Sequence, residues 1–525
     1  MNKKLILLLI TLLAFVVRFY QSNYPPLLWD EASLGYNAYS ILKTGRDEYG
    51  QFLPLIFQSF GDYKPGLYVY LTVPCVALFG LNATTVRLPS IILGSLLPLL
   101  MYLLITTIKP NQKKLGLMAA LLIAFNPWNI HFSRGAWETN ILTFELVLAS
   151  YFFFRKKHFL SALIFGLTLY TYQGAKLISL LLILILFIIN FSQTNFKKFC
   201  LAFGLPLFIL TIPILVGLIF NPDANRLQVI SLLSYPRESS EIELITQESS
   251  SLDYQIFHQP AIFFIRGFFS RYFNHFSPEF LFSTGDWLNG RHNAPYVGVI
   301  LYPSLLFLII GLFSSFSFKN SLSTFFLCWL LMAPLPAALT RDQIQPVRAM
   351  SMSIPLMFFA AVGLINTLKF IPRYLYLLIL AAYSLSFIYY SDLYLNHMVK
   401  TFPNEWLYGY NQAMTYVINH QKDKNVIFSS YYGQPYIYYL FYSQYDPTKY
   451  QQQAKLISTG LDTGKVEQID KIKFDSVQYD FVKNLPRTLS IFSLEETYRQ
   501  GIDLQKLIPL SPINTISTFY AYETN

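Results

Sequence analysis

Two adjacent carboxylates follow the first apolar stretch of the chain. Asp30 and Glu31 come shortly after the run Leu5 to Val17, and charges this close to a bilayer are costly and are retained mainly for function. A carboxylate at a membrane surface can take a proton from an attacking hydroxyl or amine. A structural role competes with this one, because Asp favours helix N-caps and the stretch Ala32–Lys43 is amphipathic. The pair is therefore a candidate for general base chemistry.

Three cationic side chains lie near the same predicted membrane surface. Lys64 precedes a proline, Lys176 ends an apolar segment, and Arg348 begins one. Cations placed in advance around a phosphate leaving group stabilise the charge that it gains as its bond breaks. These residues are candidates for binding a lipid-borne phosphate. For Lys176 the competing explanation is snorkelling of its ammonium to the headgroups.

Four more polar residues fall in segments that we predict to lie on the same side of the membrane as Asp30 and Glu31. Arg134 and Glu138 are four residues apart and could simply pair with each other, or Glu138 could face Asp30 across a cavity and hold an acceptor or a cation. Asp286 and His292 lie in a second outer loop, where hard oxygen ligands could hold a divalent cation. No spacing requires a metal, so no metal ligand and no certain cofactor is assigned.

The composition is typical of an integral membrane protein. Of 525 residues, 54% are hydrophobic and only 13% are charged, whereas soluble domains carry roughly 25% charged residues. Apolar runs long enough to span a bilayer recur along the chain. They predict eleven transmembrane helices, near residues 4–20, 87–107, 115–130, 139–154, 159–175, 177–193, 199–219, 297–316, 322–339, 349–367 and 373–390.

The basic residues separate by side when the predicted helices alternate across the membrane. With the N-terminus in the cytoplasm, the cytoplasmic segments contain thirteen Lys or Arg and no Asp or Glu, which is the positive-inside pattern. The net charge of +10 therefore indicates orientation and not nucleic-acid binding. The basic positions are Lys3, Lys4, Lys109, Lys113, Lys114, Arg155, Lys156, Lys157, Lys197, Lys198, Lys319, Lys369 and Arg373.

Three outer segments are too long to be mere connectors, and they span residues 21–86, 220–296 and 391–525. In the first, Gly66–Phe79 is apolar but contains a proline, and we expect it to lie in the interface instead of spanning. The second has an apolar patch at Ala261–Phe269.

The last segment has charges throughout and no apolar run of spanning length. Asn425 begins a predicted strand, Phe481-Val482 reads as part of another, and Gln412–Asn419 reads as a helix. We therefore predict two domains: a transmembrane catalytic domain, 1–390, and a small extracytoplasmic α/β domain, 391–525.

The N-terminus and the cysteines add little chemistry. Lys3-Lys4 and the apolar run after them resemble a signal peptide, but no small-residue cleavage site follows, so we expect the segment to be retained. Cys75, Cys200 and Cys328 lie in separate apolar segments and show neither a disulfide framework nor zinc spacing.

Several short motifs carry a family resemblance. Leu28-Trp29-Asp30-Glu31-Ala32, Gly61-Asp62-Tyr63-Lys64-Pro65 and Val86-Arg87-Leu88-Pro89-Ser90 occur in the order seen in polyprenyl-phosphate-sugar glycosyltransferases. Over residues 1–390 the chain resembles glycosyltransferase family 39, with the protein O-mannosyltransferases and the aminoarabinose transferase of lipid A, all of the GT-C fold. His131-Phe132-Ser133-Arg134 with Glu138 resembles that family's second extracytoplasmic motif, in which Asp is commoner than Glu.

The resemblance implies an all-α polytopic GT-C enzyme of the plasma membrane. It would transfer a sugar from a polyprenyl-phosphate donor to a protein, lipid or glycan acceptor on the extracytoplasmic face, without nucleic acid. The family pattern gives the base role to Asp30, with Glu31 or Glu138 assisting. Phosphate contacts would come from Lys64, Lys176 and Arg348, and acceptor or secondary contacts from Arg134, Asp286 and His292. Tyr63 stands where the aminoarabinose transferases have an acid, which puts a metal role there in doubt.

Two other classes of protein remain as alternatives. A secondary transporter should show internal repeats and broken helices near the midplane, whereas here no repeat is visible and the charges cluster at one face. A lipid-carrier flippase or polysaccharide polymerase would share the outer loops and lipid binding, but it would not require an acidic pair after the first helix.

Overall fold

The computed structural model describes residues 2–190, 196–220, 231, 243, 247, 252, 254–315, 321–459, 464–513 and 516–524. Most of the second outer segment before residue 254, and the predicted cytoplasmic position Lys319, lie outside the described residues.

The first three quarters of the described chain are mostly helical. The helices are Lys3–Phe19, Trp29–Thr44, Leu67–Phe79, Ala83–Ile108, Lys113–Phe125, Pro127–Ser133, Glu138–Phe154, His158–Thr168, Ala175–Asn190, Phe196–Phe199, Cys200–Gly204, Leu205–Phe220, Tyr254–His258, Pro260–Asn274, Glu279–Ser283, Ser304–Ser315, Ser321–Met332, Leu335–Ala338, Pro346–Ala349, Met350–Met352, Ser353–Phe370, Leu375–Asp392, Leu393–His397 and Met398–Thr401.

Length and composition allow fewer spans than the sequence predicts. Among the described residues, four helical stretches are long and apolar enough to cross a membrane: Ala83–Ile108, Ser321–Ala338, Pro346–Phe370 and Leu375–Thr401. Several shorter apolar helices accompany them. The chain is a multi-pass membrane protein, while the count of eleven helices and the N-in, C-out orientation stay predictions.

The predicted span 115–130 is broken. Lys113–Phe125 and Pro127–Ser133 meet at a bend of 56°, with Asn126 between them. Proline has no backbone N–H to donate and disfavours a helical conformation in the residue before it, so the first helix ends and Pro127 starts a new one. The bent pair counts as a fifth span if it crosses as one unit.

Close helix packing depends on glycine at one contact. Ser304–Ser315 and Ser353–Phe370 cross at Gly311 and Gly363, where an added Cβ would collide with a backbone carbonyl oxygen of the opposite helix. Small residues allow membrane helices to approach this closely.

The first outer segment forms the support for the acidic pair. Helix Trp29–Thr44 ends at Gly45, whose φ of 69° suits a residue without a Cβ. A hairpin of strands Ile56–Ser59 and Asp62–Pro65 follows, and it leads directly into helix Leu67–Phe79. At 13 residues that helix is shorter than the roughly 17–25 that a span needs.

The C-terminal part has the α/β content that the sequence predicts. Its six-stranded mixed sheet has the order Gln468–Ile469, Ile472–Asp475, Asn425–Ser429, Thr488–Ser493, Phe519–Glu523, Ile508–Pro509. Two-residue strands also occur at Ile457–Ser458, Gly464–Lys465, Pro512–Ile513 and Ile516–Ser517. The helices are Tyr410–His420, Pro435–Tyr442, Pro447–Gln453, Tyr479–Val482, Leu494–Arg499 and Leu504–Lys506.

Two local predictions in this part are confirmed and one is wrong. The strand begins at Asn425 and the helix Tyr410–His420 contains the predicted helical residues. Phe481-Val482, however, lies in the helical turn Tyr479–Val482. The β-propensity of two residues is a weak signal, and burial of Val482 against Phe492 and Val477 decides the conformation.

The C-terminal part packs directly on the support of the acidic pair. Tyr438 Oη donates to the Leu27 carbonyl oxygen at 3.0 Å, and Tyr36 Oη donates to that of Tyr445 at 3.1 Å. A single hydrophobic cluster contains residues of both regions. The C-terminal part therefore helps to hold helix Trp29–Thr44 in place.

The predicted orientation can be tested by labelling cysteines from outside intact cells. In a variant without the native cysteines, Ser476→Cys should react with an impermeant maleimide and Gln112→Cys should not, because the positive-inside pattern places residue 112 in the cytoplasm. Both side chains are exposed, so burial would not explain a failure to react. Labelling of residue 112 and not of residue 476 would show that the orientation is opposite to the predicted one.

Candidate functional site

A cavity of about 190 Å³ gathers most of the predicted site residues. It lies between the start of helix Trp29–Thr44, the hairpin after it, and segments far along the chain. Six of the nine predicted residues line it: Asp30, Glu31, Lys64, Glu138, His292 and Arg348. The remaining lining residues are Leu28, Pro65, Ala136, Trp137, Tyr172, Gln173, Gln345 and Val347.

Asp30 and Lys64 form an ion pair inside this cavity. Asp30 stands in the first turn of its helix, and the hairpin brings Lys64 to it across 34 residues of sequence. The Asp30 side chain is 45% exposed, whereas that of Lys64 is 13% exposed. The carboxylate is thus open to a ligand while its cationic partner is largely enclosed.

The charge of Lys64 is maintained by several carboxylates. Burial lowers the pKa of Lys64, but Asp30, Glu138 and Asp62 together raise it above its ordinary value. An ammonium has three N–H donors. Lys64 can therefore hold Asp30 with one of them and present another to an anion.

Glu31 is engaged in a different way. Its two oxygens accept from Arg87, at 2.8 Å from Nε and 2.6 Å from Nη2, in the bidentate geometry that gives strong charge-assisted bonds. They also accept from the backbone N–H groups of Leu28, at 3.1 Å, and Ala136, at 2.7 Å. Both side chains are buried. Glu31 therefore joins three segments around the cavity.

Arg87 completes the anchor of the first outer segment. Its Nη1 donates to the carbonyl oxygens of Ser22 and Pro25, at 2.9 Å each. The sequence motif Val86–Ser90 pointed to this region without assigning Arg87 a role. A charged residue inside an apolar run was the signal that could have identified it.

Glu138 and Arg348 also line the cavity. Glu138 begins helix Glu138–Phe154, where the helix dipole favours an acid. Arg348 Nη1 donates to Asp342 Oδ2 at 2.7 Å and to Thr340 Oγ1 at 3.0 Å. Burial raises the pKa of Asp342, but Arg348 lowers it below its ordinary value. Asp342 therefore holds the guanidinium at the cavity as a charged partner.

His292 lines the cavity, and its imidazole ring is held by Asp286. His292 Nδ1 lies 2.6 Å from Asp286 Oδ2, while Asp286 Oδ1 accepts from two backbone N–H groups. The edge of the ring meets Trp137 with centroids 5.7 Å apart. Asp286 does not line the cavity, but its contact fixes the orientation of the His292 ring.

Lys176 and Arg134 do not line the cavity either. Lys176 Nζ donates to Gln173 Oε1 at 3.0 Å, and Gln173 Nε2 donates to the Tyr63 carbonyl oxygen at 3.0 Å. Gln173 is the lining residue of this chain of contacts. In this conformation Lys176 does not reach the cavity, and its link to the cavity is its hydrogen bond to Gln173.

Arg134 is a buried cap on the first helix. Its Nη1 donates to the carbonyl oxygens of Val17 at 2.8 Å and Tyr20 at 2.6 Å, groups that the end of a helix leaves without an internal partner. Its guanidinium also lies over the ring of Tyr394, 5.1 Å from the centroid. These contacts stabilise the exit of the first helix.

The described residues contain no group of three His, Cys, Asp or Glu side chains placed to hold a metal ion, and we assign no metal ligands. The arrangement can instead accept a proton at Asp30 and hold an anion between Lys64 and Arg348. Trp137, Gln173 and Gln345 are lining residues that the sequence did not indicate.

Comparison with known proteins agrees with the resemblance seen in the motifs. Residues 8–222 match the model of the dolichyl-phosphate-mannose-protein mannosyltransferase family. This match includes the acidic pair, Lys64, Arg87 and Glu138. The search of curated proteins found no match to the chain.

The fold is similar to that of a solved bacterial enzyme. ArnT from Cupriavidus metallidurans bound to undecaprenyl phosphate matches with a TM-score of 0.56 at 12% identity, covering 98% of this chain and 97% of that one. Its apo structure matches with the same TM-score and coverage at 14% identity. The GT-C fold predicted from the motifs is confirmed.

Proposed function

We propose that this chain, a membrane glycosyltransferase with the GT-C fold, transfers a sugar from a polyprenyl-phosphate donor to an extracytoplasmic acceptor, with Asp30 as general base. The observation that carries the proposal is the half-exposed Asp30 carboxylate paired with Lys64 in a cavity that also contains Arg348. The similar ArnT structure contains undecaprenyl phosphate, and the matching family is described by a lipid-phosphate sugar donor; both support this donor class.

The chemistry needs one base and one anion site. The acceptor oxygen or nitrogen forms a bond to the anomeric carbon while the bond from that carbon to the phosphate oxygen breaks. The acceptor proton passes to Asp30, and the lipid phosphate leaves with the bonding electron pair. Lys64 and Arg348 stabilise the negative charge that develops on it.

The other residues receive supporting roles in this proposal. Glu31, whose oxygens are bonded to Arg87 and two backbone N–H groups, positions Asp30 instead of taking the proton itself. Glu138 and His292, which also line the cavity, contact the acceptor. Lys176 positions Gln173.

The proposal includes location and organisation. The active face is extracytoplasmic, because the acids lie opposite the basic loops in the predicted topology. The membrane in this proposal is the plasma membrane. The acceptor is a protein, lipid or glycan that reaches this face. Residues 1–390 form the catalytic membrane domain, and 391–525 form a smaller extracytoplasmic domain that covers it.

Transfer by the purified protein in detergent tests the function. A radiolabelled polyprenyl-phosphate sugar should lose its sugar to an acceptor extract or, more slowly, to water. Binding or movement of the lipid without cleavage of the sugar–phosphate bond would instead favour a flippase or transporter.

Lys64→Ala should weaken donor binding strongly, because it removes a largely enclosed ammonium from the phosphate site. Lys64→Arg should recover part of the affinity, since the charge is kept but the geometry differs. Donor affinity is measured by titration with polyprenyl phosphate. Lys369→Ala is the control. Lys369 lies in the last turn of helix Ser353–Phe370 and does not line the cavity, and its described hydrogen bond is to Asn366. Equal affinities of Lys64→Ala and Lys369→Ala would remove Lys64 from the site.

A further inference from the structure

The segment Asp47–Tyr49 lies where helix Trp29–Thr44 meets the C-terminal part. Gln451 Nε2 donates to two hydroxyls of that helix, at 3.1 Å each, and to the Asp47 carbonyl oxygen at 2.9 Å. The hydroxyls of Tyr49 and Tyr436 are 3.1 Å apart. We call this contact between residues 47–49 and the helices Pro435–Tyr442 and Pro447–Gln453 the joint.

Glu48 is the buried acid at the centre of the joint. Its side chain is inaccessible to solvent. It is bonded twice to Asn37 of the helix that carries Asp30: the Glu48 N–H donates to Asn37 Oδ1 at 2.9 Å, and Asn37 Nδ2 donates to Glu48 Oε1 at 3.0 Å. A change at Glu48 is therefore transmitted directly to that helix.

The second oxygen of Glu48 has no hydrogen-bond partner within the described part of the chain. The same holds for Asp47 Oδ2 and for the hydroxyl of Tyr450, both buried. Hydrogen bonds from Asn37 and Ser33 favour the charged form of Glu48, but burying a carboxylate without a paired cation is far more costly than burying a neutral group. The site therefore favours the neutral carboxylic acid, with its proton on the oxygen that Asn37 leaves unbonded.

The ionisable groups around Glu48 give it little positive charge. Lys64 of the hairpin is the cation among them, and it already pairs with Asp30. The others are acids or phenols: Asp47 and Tyr49 of the same segment, Tyr36 of the helix, and Tyr436 and Tyr450 of the C-terminal part. Burial raises the pKa of Glu48 from its usual 4.5 to about 8.

We propose that Glu48 is protonated in the working protein and acts as a positioning residue: the neutral acid lets the Asp30 helix dock on the C-terminal part, and loss of its proton loosens the joint. The expected effect on catalysis rests on the function proposed above. The titration and the docking do not, and they can be measured without a substrate.

The direction in which pH changes the stability follows from the number of protons that Glu48 holds in the folded and in the unfolded chain. Below pH 4.5 the carboxyl holds a proton in both the folded and the unfolded chain. Between 4.5 and about 8 the folded chain holds one proton more than the unfolded chain, so this group makes stability fall as pH rises. Above that window both states are ionised and the effect is constant.

Thermal unfolding of the full-length protein in detergent, from pH 5 to 9, tests the titration. The melting temperature of the wild type should fall across the window, and Glu48→Gln, which has the shape of the neutral acid, should flatten that fall. Glu467→Gln is the control, since Glu467 is half exposed and pairs with Lys465 on the surface. Parallel profiles for wild type and Glu48→Gln would overturn the proposal.

Two further measurements keep the test independent of folding yield and of activity. At pH 7 the infrared C=O band of a protonated carboxylic acid should be weaker in Glu48→Gln than in the wild type. Glu145→Gln, which removes a second buried acid, is the control, and its spectrum should still contain the part of the band that comes from Glu48. Hydrogen exchange in Pro447–Gln453, corrected for the intrinsic rate, should increase between pH 7 and 9 only when Glu48 is present. An unchanged infrared band, or exchange that does not depend on residue 48, would contradict the protonated state or the docking role respectively.

Discussion

Asp30→Asn should reduce turnover at saturating donor by about 10²–10⁴-fold, the range expected when a general base is lost. The substitution keeps the shape of the side chain and removes its charge. Donor binding should be largely retained, because Lys64 and Arg348 remain and Lys64 is released from its ion pair with residue 30. Turnover and donor affinity, measured separately on the same preparation, distinguish a lost base from a lost binding residue.

Asp62→Asn is the matched control for this prediction. Asp62 also helps to raise the pKa of Lys64, but it does not line the cavity. Its loss therefore reports the effect of one fewer carboxylate near Lys64 without removing the base. Near-normal turnover in Asp30→Asn would assign the proton transfer elsewhere, and Glu138 and His292 would then be the residues to test.

Glu31→Gln should destabilise the protein by about 3–5 kcal/mol, the cost of leaving one member of a buried ion pair without its partner. Arg87 would remain enclosed, with only carbonyl oxygens to balance its charge. The amide has one accepting oxygen where Glu31 has two, so the start of helix Trp29–Thr44 should also lose a bond from either the Ala136 or the Leu28 backbone N–H, and activity should fall with stability. The measurement is the midpoint of unfolding in detergent, compared with that of the surface variant Glu467→Gln, which should hardly change.

The double variant Glu31→Gln with Arg87→Met shows whether the loss comes from the pair. Removal of both charges leaves no uncompensated ion, so the double variant should be more stable than the sum of the single effects. Additive losses would mean that the two side chains act independently. If Glu31→Gln lost activity but no stability, a direct catalytic role for Glu31 would be supported.

The order of elements and the chemical class were readable from the sequence. Apolar runs mark membrane helices because a span must satisfy its backbone internally over a fixed thickness. Asp30 and Lys64 stand out because an ionic group beside such a run is costly. An apolar run also located helix Leu67–Phe79, and the β-propensity of the residues after Asn425 located the strand that starts there.

Local patterns could not foresee where neighbouring elements interrupt or redirect one another. The helical turn at Phe481 contains Val482, which packs on residues outside that short window. The break at Pro127 has a local cause, the proline itself, which the apolar character of residues 115–130 concealed. Lys176 and Arg134 have the right charge and a nearby position, yet their contacts are with Gln173 and with the end of the first helix. Sequence gives the type of a side chain but not its direction.

The division of work within the acidic pair was decided only by the tertiary structure. Successive residues on a helix point about 100° apart around its axis, so Asp30 and Glu31 face different surroundings although they are adjacent. One meets Lys64 in an open cavity and the other meets Arg87 in the interior. The sequence determined that two acids follow the first apolar helix. Which of them is open to a substrate depends on residues 34 and 56 positions away, brought there by the packing of a hairpin and a membrane helix.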